Sequence, residues 1–103
     1  MRYKEIFKLK EMLEKACIPH KFIDWKTEWF RREKWQITYP NVEPQNCICS
    51  CIEGFGTYGE EQGLLEIRGL LTDEEFENDS VLGYLTAEEV FERIEKHYKG
   101  ERE

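Results

Sequence analysis

No stretch of this 103-residue chain approaches the ~20 consecutive apolar residues of a membrane-spanning helix. Residues 1–8 also lack the unbroken hydrophobic segment of a signal peptide, so a cytoplasmic protein is expected. Serine occurs only at Ser50 and Ser80, and histidine only at His20 and His97. None of them falls in a nucleophile elbow, an H-E-x-x-H or a P-loop. His97 suits the dipole at the end of a last helix, and His20 opens a strand, so both read as structural. Acidic pairs such as Glu88/Glu92 and Glu74/Glu75 read as solvated faces. The expectation is a non-catalytic protein with no cofactor.

Apolar residues make up 40% and charged residues 36%, with 14% aromatic, a balance that supports one modest packed core over residues 1–103. The net charge of −7 is unevenly placed. Residues 1–50 carry ten Lys/Arg against seven Asp/Glu, and residues 51–103 carry five against fifteen. One mildly basic side and one acidic side follow, unless helices simply expose charged faces.

Ile6, Leu9, Leu13 and Ala16 recur at helical spacing, so residues 2–16 read as an amphipathic helix. Cys17 stands where a helix often ends on glycine, and Pro19 forbids continuation. Residues 20–27 read as extended. Residues 34–39 alternate clearly, with Trp35, Ile37 and Tyr39 on one side and Lys34, Gln36 and Thr38 on the other. After a turn at 41–46, residues 47–53 read as a third strand. Residues 60–68 read as a helix capped by Gly69. Thr72-Asp-Glu-Glu75 and Thr86-Ala-Glu-Glu89 both fit the capping box, and Val90, Phe91, Ile94 and Tyr98 mark the buried stripe of a last helix. The sum is a single α+β domain: an N-terminal helix, a three-stranded antiparallel sheet, C-terminal helices packed on the sheet, and a polar tail at 98–103.

Cys47-Ile-Cys49-Ser-Cys51 invites a metal reading. Alternate residues of a strand lie roughly 6.6 Å apart, whereas two thiolates on one zinc come within about 4 Å. The preferred reading is a half-buried strand of small hydrophobes, with a metal protein as the lesser alternative. Gly54-Phe-Gly56-Thr-Tyr-Gly59 matches G-x-G-x-x-G, but Glu60 and Glu61 follow where a pyrophosphate needs positive potential.

All three tryptophans lie within eleven residues, Trp25-Lys-Thr-Glu-Trp29-Phe-Arg-Arg-Glu-Lys-Trp35. Tryptophan and arginine are frequent binding anchors. Trp25 and Trp35 are also credible core members of paired strands. Residues 28–33 hold no Gly, Pro, Asn or Asp, so helix, strand and loop stay open there. Trp25, Trp29, Phe30 and Trp35 could wall a base, with Arg31, Arg32 and Arg68 on phosphate and Phe55 and Tyr58 at the tip of the glycine-rich turn.

Phe7-Lys-Leu-Lys-Glu-Met-Leu-Glu-Lys-Ala-Cys-Ile-Pro-His20, Leu64-Leu-Glu-Ile-Arg-Gly-Leu-Leu-Thr72 and Asp79-Ser-Val-Leu-Gly-Tyr-Leu-Thr-Ala-Glu-Glu-Val-Phe-Glu-Arg-Ile94 resemble small uncharacterised proteins of phages and prophages of Firmicutes. The resemblance implies a phage accessory protein acting in the host cytoplasm. Its expected role is to antagonise a host defence function, by sequestering a small nucleotide as a homo-oligomer or by blocking a host protein. An acidic inhibitor that imitates nucleic acid is the alternative. Neither direct DNA binding nor membrane association is expected.

Overall fold

The computed structural model describes residues 4–25, 33–54 and 57–102. Helix α1 (Glu5–Lys15) leads into strands β1 (Lys21–Asp24), β2 (Lys34–Tyr39) and β3 (Cys49–Gly54), then β4 (Leu65–Arg68), helix α2 (Asp73–Asn78), β5 (Val81–Leu85) and helix α3 (Ala87–Arg102). Short 3₁₀ turns occupy Pro44–Asn46 and Glu60–Gln62. The strands form one antiparallel sheet in the order β1-β2-β3-β4-β5. The α+β class and the leading helix stand as expected. The sheet has five strands rather than three.

Both added strands have a physical reason. Leu64, Leu65 and Ile67 satisfy a helical stripe and a strand alternation equally well over so few residues. Left-handed Gly59 (φ 95°) and Gly63 (φ 68°) confine the helical part to Glu60–Gln62. Leu65 and Ile67 then alternate inward against Glu66 and Arg68. Strand β5 has no clean alternation, because its register against β4 shifts between Leu65 and Ile67 and Tyr84 takes a positive φ of 62°.

Helices α1 and α3 pack together, and α1 lies across β2 and β3. Ile6, Leu9 and Leu13 of α1 meet Val90 and Ile94 of α3 over Ile37, Cys51 and Ile67, which stand in one cross-strand row. Each such fully buried side chain contributes about 1.5–3 kcal/mol. Trp35 joins this face, its ring edge-on to Phe7 at 5.1 Å between centroids. Phe7 also tilts against Phe22 of β1 at 5.7 Å.

Both predicted capping boxes form. Thr72 Oγ1 accepts from Glu75 N while Thr72 N donates to Glu75. Thr86 Oγ1 accepts from Glu89 N while Thr86 N donates to Glu89. Helix α3 continues through Gly100 to Arg102, so residues 98–102, read as a polar tail, belong to the helix. Among the described residues, no helix is long and apolar enough to cross a membrane.

Candidate functional site on the open sheet face

Strand alternation sends Gln36, Ser50, Ile52, Glu66 and Arg68 to the face opposite the helices. In cross-strand register, Ile23, Gln36, Ile52 and Glu66 form one row. Thr38, Ser50 and Arg68 form the next. The connection from β2 to β3 folds over one end of this face, where Thr38 Oγ1 donates to the Val42 carbonyl at 2.8 Å and is fully buried. Pro44, Cys47 and Ile48 of that connection make an end wall. Trp25, just past β1, makes the wall opposite, its backbone N–H donating to the Lys34 carbonyl at 3.0 Å. Floor and walls enclose a concavity of about 840 Å³, within the usual range for small-molecule sites.

Its floor is chemically ordered. Trp25 Nε1 donates to Gln36 Oε1 at 3.0 Å, and Gln36 Nε2 donates to Ser50 Oγ at 2.7 Å. Arg68 lies directly across from Ser50, and Lys34 stands at the Trp25 end. Among the described residues, neither cation forms an ion pair. Glu66 also borders the space, with Oε1 holding the Tyr58 N–H at 2.8 Å. The Cys47 thiol donates to the Pro44 carbonyl at 3.1 Å, and partial burial raises its pKa. Such a site can bind and orient an anionic or aromatic group.

The residues singled out by sequence separate. Trp25 and Arg68 line the same concavity. Trp25 is 41% exposed, so of its two readings the core one does not hold: Cβ alternation and the Gln36 bond carry it to the open face. Trp35 is the reverse case. It is 9% exposed and packed on Phe7, and it does not line this concavity. Tyr58 is an exposed surface ring outside the concavity. Trp29, Phe30, Arg31, Arg32 and Phe55 lie outside the described residues.

Sequence reasoning missed Gln36 and Ser50. Their signal was the polar side of the 34–39 alternation, which reads equally as a solvated face. Cys49 and Cys51 point the other way, into the core. Burial pushes the Cys49 thiol up to about 12 and Cys51 well above its usual value, so both are inert as nucleophiles. Among the described residues, no group of three His, Cys, Asp or Glu is placed to hold a metal ion. The Tyr39 hydroxyl meets His97 Nδ1 at 2.8 Å and ties α3 to β2.

No protein-family model, curated protein or solved structure matches the chain.

Proposed function

We propose that this is a non-catalytic binding protein that holds a small nucleotide in the open-face concavity. The observation that carries the reading is the Trp25–Gln36–Ser50 hydrogen-bonded row beside Arg68. The partly exposed Trp25 ring supplies a stacking surface for a base, a contact of about 1–3 kcal/mol. Arg68 and Lys34 supply positive charge for phosphate. The resemblance to phage and prophage proteins supplies a setting, in which a homo-oligomer removes a nucleotide signal of a host defence system. Isothermal titration with cyclic mono- and dinucleotides and ADP-ribose derivatives tests this, together with native mass spectrometry of the purified protein. Heat and a retained nucleotide support the proposal; neither for any compound sinks it.

A second reading rests on α2. This helix exposes Asp73, Glu74 and Glu77 around Phe76, whose ring is 65% exposed. An acidic surface with an apolar centre suits an inhibitor that imitates nucleic acid and blocks a basic host enzyme. Capture of such an enzyme that fails steeply as salt rises would favour it.

A further inference from the structure

Resting on the nucleotide reading, we infer that Ser50, Gln36 and Arg68 form the phosphoryl subsite, and that Trp25 sets its hydrogen-bond polarity. The indole Nε1 can only donate. Facing it at 3.0 Å, the Gln36 side chain must present its oxygen there. The Gln36 amide nitrogen is thereby turned toward Ser50, and an NH₂ group can only donate. Ser50 Oγ therefore accepts at 2.7 Å, and its own hydrogen is left to point out of the row. No acceptor among the described residues takes that hydrogen.

The polarity propagates outward from one indole. It leaves a hydroxyl hydrogen on Ser50 and a second N–H on Gln36 to offer, and both residues line the concavity together with Arg68. All three are donors. Ser50 and Arg68 are directly opposed on neighbouring strands, about 5 Å apart at Cβ, and Gln36 lies diagonally beyond Ser50 at about 7–8 Å. Three donors approaching from separate strands fit a tetrahedral oxyanion better than a flat carboxylate. Glu66, the acidic residue that lines the concavity, has Oε1 bonded to the Tyr58 N–H. The ligand group belonging there is a phosphoryl, and Trp25 lies on the side from which a base would reach it.

NMR titration of ¹⁵N-labelled protein with inorganic phosphate, AMP, ribose 5-phosphate and adenosine tests the assignment. The Gln36 side-chain amide and Arg68 Nε–H resonances should shift with phosphate. Arg68→Gln and Ser50→Ala should each weaken binding ~10-fold or more, the effect of a lost charge-assisted or directional bond. Gln36→Glu should abolish it, because a carboxylate cannot donate and repels the anion. Trp25→Phe keeps an aromatic ring but releases the amide to flip, so phosphate binding should fall several-fold. Arg68 is exposed and its exchange leaves the core untouched, so loss of folding cannot mimic the result.

The arms separate the two readings. Phosphate and ribose 5-phosphate that shift these resonances, with no gain for AMP, leave the phosphoryl subsite standing and sink the nucleotide reading. Adenosine that shifts the Trp25 indole N–H resonance as strongly as AMP, with Gln36 and Arg68 unmoved by phosphate, keeps a base site and overturns the subsite. Equal phosphate binding by Gln36→Glu also overturns it.

Discussion

Cys17 ends α1 in the left-handed region at φ 56°. Ile18 N donates back to the Leu13 carbonyl and Cys17 N to the Glu14 carbonyl, the paired hydrogen bonds of a Schellman motif. A β-carbon in that conformation costs about 1 kcal/mol or more that glycine avoids. Cys17→Gly should therefore stabilise the protein by ~1 kcal/mol and raise Tm by roughly 4–8 °C, read by calorimetry. Glu53 is a second residue held against its preference. It is fully buried, and Oε1 accepts from Ile6 N at 2.9 Å while Oε2 has no partner among the described residues. Burial raises its pKa to about 7, against the Ile6 N–H, which favours the charged form. A raised pKa means that the folded state binds the proton more tightly than the unfolded chain does. Stability from this group is thus complete below pH 4.5 and is lost as pH rises through 7, by roughly 3 kcal/mol at most. Glu53→Gln should flatten urea-unfolding stability across that window, and an unchanged slope would assign the pH dependence elsewhere.

Among the elements, α2 depends on a clamp. Arg93 of α3 holds Glu75 through two bonds of 2.8 Å and also donates to the Leu70 carbonyl at 2.9 Å. Glu75 is at once the capping-box acid of α2 and the partner of α3. The Arg93 guanidinium and the Thr72 N–H hold its carboxyl down at about 2. The sign is opposite to that of Glu53: this stability is present above pH 4.5 and disappears as pH falls toward 2. Arg93→Ala should cost ~1–3 kcal/mol. It should also speed amide exchange in residues 73–78 before the rest of the molecule, and uniform acceleration would mean the clamp serves the whole core. Strand β5 depends on Gly83, where a β-carbon would collide with Cβ of Tyr58. Gly83→Ala should destabilise by about 1–3 kcal/mol through overpacking, measured by thermal melting.

Across the whole molecule, β2, β3 and β4 each have a strand on both sides, while β1 and β5 are edges. Hydrogen exchange should be slowest for the bonded amides of β2 and β3, which also lie under α1. Glu75 contributes less in acid and Glu53 less toward neutrality, so these two groups together favour the folded state most near pH 4.5. Two faces with different duties result. One is closed by α1 and α3 around an apolar core. The other keeps a polar row in a concavity, and exchanging Trp25 or Arg68 there should leave Tm within about 1–2 °C of the parent while altering ligand binding.

Helix α1, strand β2 and both capping boxes were legible in the chain, because each rests on local physics: an apolar stripe, a strict alternation, a hydroxyl three residues before a glutamate. Strands β4 and β5 were not. A short apolar run satisfies either period, and a bulge erases alternation, so their state depends on the partner strand. The same limit governed the site. Sequence drew attention to the tryptophans but could not sort them, since Trp25 and Trp35 have like neighbours and opposite fates. Composition, charge placement and the local caps belong to the sequence alone. Only tertiary structure decided which indole faces the helices, which meets Gln36, and that Ser50 and Arg68 stand opposite each other, because a side chain's face follows from the register of strands distant in the chain.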